Sequence, residues 1–143
     1  MRIRTYQPAD REMVVTLWET VFPNSMGHND PNTSIERKVL ADDGLFFVAF
    51  NDNSVIDNSV IGTVLAGYDG HRGWLYSLAV APTHRRNGVG TQLVRHAERV
   101  LETLGCPKLN LQVRSDNREV VAFYQSLGFD SEERISMGKR IGG

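Results

Sequence analysis

The sequence lacks the features that mark several classes of protein. Its single cysteine, Cys106, cannot form a disulfide within the chain, and no cluster of Cys and His has metal-site spacing, so we predict no metal. The 16 basic residues are balanced by 17 acidic residues, for a net charge of -1. Nucleic-acid binders need clustered Lys and Arg to neutralise phosphates, so the charge balance predicts no nucleic-acid partner.

Long apolar runs are also missing. No segment approaches the ~20 residues that cross a membrane, and the first residues lack the apolar core of a signal peptide. An apolar content of 41% over 143 residues is ordinary for one globular domain with a single core. We therefore expect one cytoplasmic domain over residues 1–143, with no membrane partner.

Apolar spacing along the chain predicts a mixture of strands and helices. Apolar residues recur every three or four positions in the predicted helices and form short runs bounded by turn residues in the predicted strands. Thr33 and Glu36 have the spacing of a capping box, which predicts that a helix starts there. Residues 74–113 form a strand–helix–strand unit that we expect to cross over right-handed. The predicted helices cover residues 11–22, 33–40, 88–104 and 117–127, and the predicted strands cover residues 3–6, 45–50, 60–68, 74–80, 109–113 and 129–141.

A direct duplication interrupts the pattern between two predicted strands. The five residues DNSVI at positions 52–56 are repeated at once at positions 57–61. Structural repeat units usually span about twenty residues or more, so this duplication is too short to be one. We predict that it lengthens an exposed hairpin turn at little cost in free energy, that its second copy enters the next strand, and that it has no role in catalysis.

The most informative segment joins the predicted strand at residues 74–80 to the helix that follows. The first turn of a helix leaves backbone N–H groups unpaired and carries partial positive charge. Gly88 and Gly90 have no side chain to keep a phosphate from these N–H groups, and this part of the chain is basic. Arg85 and Arg86 add positive charge beside the glycines. The segment therefore predicts an anion site for a phosphorylated cofactor.

The spacing of the glycines narrows the choice of cofactor. The loop lacks the lysine of an ATPase phosphate loop, and Leu93 stands where a dinucleotide fingerprint has its third glycine. The alternative to an anion site is a turn that needs glycine before an amphipathic helix. For an isolated pair of glycines, this structural explanation is the better one. On the residues of this loop alone, both interpretations stay open.

Two motifs in register resemble those of the GNAT superfamily. Residues 85–90, RRNGVG, fit its signature of Arg or Gln, two free positions, Gly, one free position, and Gly or Ala. Asn117, Phe123-Tyr124 and Gly128-Phe129 match the second signature downstream. Val120 stands in place of the family alanine. Finer features of the chain resemble the bacterial YpeA-type acetyltransferases.

The resemblance implies a fold and a reaction. The fold is α/β (α+β), with a central, mixed, mostly antiparallel and twisted sheet, a parallel strand fork, and helices on both faces. The reaction moves an acetyl group from acetyl-CoA to a primary amine by direct attack in a ternary complex, with a small molecule or a peptide as acceptor. A protein lysine or N-terminal acetyltransferase and a non-catalytic acyl-CoA sensor remain as alternatives, and a homodimer stays open.

The resemblance also implies roles for particular residues. A bulge in the strand at residues 74–80 would free backbone N–H groups for the pantetheine amides and the thioester carbonyl. Tyr124 would be catalytic, donating to the departing thiolate, with a core aromatic as the alternative interpretation. Asn117 would touch the coenzyme, with an ordinary helix cap as the alternative. The implied coenzyme-binding residues are Leu78, Ala79, Val80, Arg85, Arg86, Asn87, Gly88, Val89, Gly90, Thr91, Asn117 and Tyr124.

The sequence leaves the general base open. Family members that acetylate protein N-termini often have a glutamate where this chain has Gln112, and an amide cannot serve as a base. His71, Asp69 and Glu36 are the remaining candidates, the last of them acting through a water molecule. Cys106, directly before a proline, is interpreted as a structural thiol.

Overall fold

The structure, a computed structural model, describes residues 1–51 and 59–142. Most of the duplicated segment lies outside the described residues, although its end enters a strand as predicted. The chain forms two compact units, Met1–Gln112 and Val113–Gly143. None of the described helices combines the length and apolar character that a membrane span requires. The first unit contains β1 (Arg2–Thr5), α1 (Arg11–Val21), α2 (Pro31–Ala41), β2 (Phe46–Phe50), β3 (Val60–Tyr68), β4 (Gly73–Val80), α3 (Val89–Thr103) and β5 (Leu109–Leu111).

The five strands described in the first unit form one sheet, in the order β1-β2-β3-β4-β5. Neighbouring strands pair antiparallel from β1 to β4, whereas β4 and β5 pair parallel. A parallel pair cannot be joined by a tight turn, and α3 provides the crossover. The sheet is therefore mixed and mostly antiparallel, which confirms the predicted fold class.

Successive residues of β3 point to opposite faces of the sheet, and they show which helices cover each face. Thr63 accepts a hydrogen bond of 2.8 Å from the indole Nε1 of Trp18, so α1 covers its face. On the other face, a Cβ built on Gly62 would lie 2.8 Å from Leu93 Cδ1 and 2.9 Å from Val89 Cγ1 of α3. Helices thus lie on both faces, and α3 packs closely against β3 at its own first turns.

A large part of the core lies between α1, α2 and the sheet. Val14 and Ile35 are fully buried there, and Trp18 stacks on Phe46 with ring centroids 5.8 Å apart. Burying one such apolar side chain stabilises a fold by about 1.5–3 kcal/mol. This packing holds α1 on the face of the sheet that carries Thr63.

The start of α2 differs from the prediction. Asp30 caps the helix, because its Oδ2 accepts a hydrogen bond of 3.1 Å from the backbone N–H of Thr33, and Pro31 occupies the first turn. The predicted capping box of Thr33 and Glu36 is therefore wrong. The side chain of Asp30 reaches the free N–H groups one turn earlier, and a proline at the first helical position favours this start. The predicted end is confirmed, with Asp42 as the C-cap at φ +48°.

The second unit contains one described helix, α4 (Arg118–Ser126). The predicted strand over residues 129–141 is wrong, since the structure assigns no strand to described residues 127–142. A strand needs a neighbour for its backbone N–H and C=O groups, and the local sequence alone does not show whether one is present. Three apolar residues of this segment are exposed to solvent: Ile135 and Met137 are each 89% exposed, and Ile141 is 95% exposed.

Candidate active site

β4 contains a bulge in its second half. The register of β3 with β4 passes from Thr63↔Ala79 to Leu65↔Tyr76, so β4 takes three steps where β3 takes two. Within this stretch Ser77 has φ +50°, in the left-handed region that residues other than glycine rarely adopt. A bulge interrupts the ladder and leaves its extra residue without a ladder partner. The bulge that the resemblance implied is confirmed.

The parallel pairing of β4 with β5 covers only the first part of β4. It consists of three residue pairs, of which the last is Leu75↔Leu111. β4 continues to Val80, and the bulge lies in this second part. β5 ends at Leu111, two residues before the predicted end at 113. The paired strands therefore part directly before the bulge, as a strand fork requires.

The loop after β4 leads to the N-terminus of α3. Gly88 caps the helix at φ +78°, and Arg86 also has a positive φ, at +67°. The first helical hydrogen bond runs from Gln92 N to Gly88 O at 3.0 Å, so the N–H groups of residues 89–91 have no acceptor within the helix. A Cβ built on Gly88 would meet no atom within 4 Å, so the space beside it is open. Such a helix terminus suits a phosphate group.

The predicted coenzyme-binding residues of the first unit follow the chain from the bulge to α3. Ala79 and Val89 are buried, so their side chains serve the core and their backbone groups alone are candidates for contact. The half-buried positions are Leu78, Val80, Gly90 and Thr91, and the exposed positions are Arg85, Arg86, Asn87 and Gly88. The positive charge of the loop is thus exposed at the N-terminus of α3. The binding roles themselves stay predictions.

Tyr124 is the buried residue of α4, with 8% of its surface exposed. The rings of Phe123 and Phe129 lie edge-on to it, with centroids 5.1 and 5.5 Å away. Burial raises the pKa of Tyr124 to about 12, because the phenolate is poorly solvated there. Asn117 is the N-cap of α4 and accepts a hydrogen bond of 3.3 Å from Val120 N. The capping role of Asn117 is confirmed, and its contact with a coenzyme stays a prediction.

Comparison with known proteins decides the family. The model of the acetyltransferase (GNAT) family matches residues 11–129, a range that includes both motifs. An acetyltransferase of Yersinia enterocolitica is 40% identical over 144 residues, which cover 99% of this chain and 96% of the relative. The chain belongs to the acetyltransferase (GNAT) family.

Solved structures of acetyltransferases have the same fold. The aminoglycoside N-acetyltransferase AAC(6')-Iy, solved in complex with CoA, matches with a TM-score of 0.77 at 23% identity, over 97% of this chain and 93% of that one. The ribosomal-protein-S18-alanine N-acetyltransferase from Escherichia coli matches with a TM-score of 0.72 at 22% identity, over 92% of this chain and 78% of that one. These likenesses confirm the GNAT fold of this acetyltransferase.

Two of the three candidate bases of the acetyltransferase lie at the far end of β4 from the bulge. Asp69 and His71 belong to the turn before β4, whereas Leu78 lies five residues beyond the start of that strand. At about 3.3 Å per residue, five residues of strand cover about 16 Å. Backbone N–H groups of Arg72 and His71 donate to Asp69 at 2.7 and 2.8 Å and hold the pKa of Asp69 below its usual value. Asp69 is therefore a poor base.

Glu36, the third candidate, forms an ion pair of 3.1 Å with Arg11, which links α2 to α1. The two side chains are 63% and 39% exposed, so water screens the pair and it contributes little to stability. Glu36 thus has a charged partner in Arg11, and its role as a base that acts through water stays a prediction.

An exposed aromatic pair on β4 was missed by sequence analysis, which treated residues 74–80 only as an apolar strand. Trp74 and Tyr76 alternate with the buried Leu75, and they are 37% and 46% exposed. Tyr76 lies opposite Leu65 on the face that α1 and α2 cover in part. The ammonium of Lys38 lies 5.6 Å from the centre of the Tyr76 ring. The alternation of two large aromatics around a leucine was the available signal, since period two places both on one face.

Proposed function

We propose that this acetyltransferase transfers an acetyl group from acetyl-CoA to a primary amine by direct attack in a ternary complex. The observation that carries the proposal is the order of features along one stretch of the first unit: parted strands, a bulged β4, and an open helix N-terminus at Gly88. An extended pantetheine arm suits the edge of a strand, and a pyrophosphate suits the start of a helix. AAC(6')-Iy, which has this fold, was solved with CoA.

The loop and the first turn of α3 are proposed to hold the pyrophosphate. The N–H groups of residues 89–91 have no helical acceptor, and negatively charged oxygens are good acceptors for them. Arg85 and Arg86 are exposed beside these groups and supply positive charge. Thr91, half-buried in the first turn, offers a hydroxyl donor. The proposed contacts are thus made by backbone groups and by three side chains.

The bulge is proposed to stabilise the charge that develops during transfer. Acetyl-CoA supplies an acyl group activated as a thioester. The amine nitrogen first bonds to the carbonyl carbon, which places negative charge on the carbonyl oxygen; the carbonyl then re-forms as the C–S bond breaks and coenzyme A leaves as the thiolate. Backbone N–H groups from Leu78 to Val80 donate to that oxygen. The amine is mostly protonated at neutral pH, since its pKa lies near ~10, so it loses a proton to water before attack.

Tyr124 is proposed as the donor to the departing sulfur, on its register with Asn117 and Phe129 in the family motif. Its pKa of about 12 keeps the hydroxyl protonated throughout the neutral range. An ordinary thiol has a pKa of about 8.5, so complete transfer of the phenolic proton to the thiolate would be uphill. We therefore assign Tyr124 a hydrogen bond to the sulfur as charge builds there, with solvent supplying the proton afterwards.

The acceptor is proposed to be a small amine. Trp74 and Tyr76 present exposed rings on one face of β4 before the bulge, with Tyr76 directly next to it, and aromatic faces attract ammonium groups. The ring of Tyr76 already lies near one ammonium, that of Lys38. Gln112 replaces the glutamate expected of many N-terminal acetyltransferases, which weighs against a protein N-terminus as acceptor. Substitution of Trp74 by alanine is then expected to raise KM for the amine and to leave KM for acetyl-CoA unchanged.

The test is thiol release from acetyl-CoA in the presence of separate amine classes. The panel contains aminoglycosides, polyamines and simple alkylamines, together with peptides that offer either a free N-terminus or a lysine. Calorimetry with CoA and acetyl-CoA runs in parallel. Turnover with a small amine supports the proposal. Turnover with peptides alone would mean that the acceptor is a peptide or protein amine and not a small amine. Binding without turnover on any amine would make the protein an acyl-CoA sensor, and no binding at millimolar concentration would overturn the coenzyme assignment.

A further inference from the structure

A short chain of hydrogen bonds joins the core to the bulge. The indole Nε1 of Trp18 donates to Thr63 Oγ1 at 2.8 Å, and Thr63 Oγ1 donates to the carbonyl oxygen of Ser77 at 3.1 Å. The indole N–H is a donor only, so it occupies an acceptor position of the hydroxyl and leaves the hydroxyl proton for Ser77. The direction of the whole chain is thereby fixed, from α1 through β3 to the bulge in β4.

The donor side of this hydrogen-bond chain lies in the buried core of the first unit. Thr63 is 0% exposed and Trp18 is 3% exposed, so their hydrogen bond is shielded from water, and the next bond leads from the core to the half-buried Ser77. Ser77, which accepts the last bond, has the unusual φ of +50°. Residues other than glycine keep such a conformation only where their surroundings determine it, and such residues cluster at functional sites. The hydroxyl of Thr63, which donates to the carbonyl oxygen of Ser77, is one such surrounding group.

The bond to Ser77 also orients the next N–H group. The carbonyl of Ser77 and the N–H of Leu78 belong to the same peptide unit, which is planar and trans, as no described peptide bond is cis. The two groups therefore point in opposite directions. Holding the oxygen toward Thr63 turns the N–H of Leu78 away from Thr63 and away from the core side of β3.

We infer that Thr63 is a positioning residue for the acyl-transfer site, with Trp18 orienting its hydroxyl. The pair fixes the Ser77–Leu78 peptide so that the N–H of Leu78 faces the thioester oxygen. This inference rests on the proposed function, in which the bulge N–H groups receive that oxygen. A donor held in place before the reaction stabilises developing charge without having to reorganise, whereas a rotating peptide loses that advantage.

The test compares two substitutions of Thr63 in the full chain. Thr63→Val keeps the shape and removes the hydroxyl, and Thr63→Ser keeps the hydroxyl. For Thr63→Val, kcat for thiol release with the best amine of the panel should fall about tenfold or more, because a misoriented oxyanion donor is lost in part or whole. KM for acetyl-CoA and the affinity for free CoA should stay within about twofold, since the pyrophosphate contacts are untouched. Thr63→Ser should keep kcat within about threefold of wild type, because its hydroxyl remains.

A second readout does not depend on turnover. In ¹⁵N-labelled protein, the amide resonances of Ser77, Leu78 and Ala79 should shift in Thr63→Val and exchange faster with solvent, and they should stay near wild type in Thr63→Ser. Val14→Ala serves as the control for lost stability, because Val14 is as buried as Thr63 in the same core and takes no part in the hydrogen bonds from Trp18 to Ser77. It should unfold at a lower temperature with kcat per folded molecule unchanged.

The outcomes separate this inference from the proposed function. Unchanged kcat and unchanged amides in a folded Thr63→Val protein would overturn the positioning role while leaving the acetyltransferase assignment intact. Equal losses of kcat in Thr63→Val and Val14→Ala would mean that only general stability was measured, and would also overturn it. If Thr63→Val does not fold, Trp18→Phe carries the same test, since it removes the N–H that orients the hydroxyl and keeps an aromatic ring. Absence of CoA binding in the wild type would instead remove the proposed function.

Discussion

Gly62 of β3 lies directly beneath Leu93 of α3, with no room for a side chain between them. A Cβ at Gly62 would come within 2.8 Å of Leu93 Cδ1 and 3.1 Å of the backbone oxygen of Ala79. The side chain of Leu93 is flexible, but the oxygen of Ala79 is part of the backbone of the bulged strand β4. This contact therefore links three parts of the candidate site, namely β3, β4 and the start of α3.

Gly62→Ala is expected to destabilise the protein and weaken coenzyme binding together. Overpacking of this kind costs about 1–3 kcal/mol, because neighbouring groups must shift. A shift of Leu93 moves the first turns of α3 and with them the N–H groups proposed to hold the pyrophosphate. Urea unfolding and calorimetry with CoA check the two effects. Gly67→Ala on the same strand is the matched control, since a Cβ there meets nothing within 4 Å; coupled losses in that variant as well would contradict the argument.

Gly88→Asn separates backbone conformation from occupied space at the anion site. Asparagine tolerates a positive φ better than most residues, so the cap at φ +78° should persist. The new side chain would occupy the open space beside the helix N–H groups. Loss of one charge-assisted hydrogen bond costs about 1.5–3 kcal/mol, which predicts a CoA affinity lower by about tenfold to a hundredfold.

The matched control for Gly88→Asn is Gly44→Asn. Gly44 has φ +70° and equally open surroundings, and it lies in the connection between α2 and β2. Calorimetry should find wild-type affinity for CoA in this variant. Wild-type affinity in folded Gly88→Asn as well would mean that Gly88 serves only the turn.

Tyr124→Phe tests the proposed donor to sulfur, because it removes one hydroxyl and almost no volume. Turnover should fall by about tenfold to a thousandfold, because the charge that develops on sulfur loses its hydrogen-bond donor. Affinity for CoA should change little, since the hydrogen bond matters most when charge builds on sulfur. Tyr68→Phe controls for loss of a phenol elsewhere, where the hydroxyl donates to Gly105 O at 3.4 Å. Full turnover in Tyr124→Phe would leave Tyr124 as a core aromatic.

The raised pKa of Tyr124 also predicts how stability depends on alkaline pH. An unfolded tyrosine loses its proton near pH ~10, whereas the folded Tyr124 keeps it until about pH 12. Between these values the unfolded chain binds fewer protons, so the free energy of unfolding falls as pH rises. The full loss from this residue is roughly 2–3 kcal/mol. Urea unfolding from pH 8 to 11 should show a steeper fall in wild type than in Tyr124→Phe, and parallel curves would contradict the assignment.

Local signals predicted much of the fold, and contacts between distant segments explain the rest. The three- and four-residue spacing of apolar residues and the short apolar run of residues 74–80 placed α3 and β4 within one residue of their observed bounds. The start of α2 was misplaced because Asp30 and Pro31 form a cap that outcompetes the box at Thr33. The predicted strand at residues 129–141 was wrong because a local sequence can indicate an extended segment but not the presence of a neighbouring strand.

The candidate site was predicted unevenly for the same reason. The bulge was implied only through the family resemblance, because no single residue of the strand indicates a bulge. The hydrogen bond from Thr63 to Ser77 spans 14 positions and exists only in the observed register of β3 with β4. The exposed aromatics at 74 and 76 carried a readable pattern that was overlooked. Sequence reasoning misses those residues whose contacts depend on how two strands are aligned with each other.

At Ser77, the residue that would give the highest stability is not the residue that would give the highest rate. A residue with a Cβ in the left-handed conformation costs about 1–2 kcal/mol, which glycine would recover in part. A laboratory selection for heat resistance alone would therefore favour Ser77→Gly, the residue best suited to that backbone. The freer backbone of glycine would also widen the range of peptide orientations at the bulge. At this position, a sequence evolved for robustness and a sequence evolved for rate would diverge.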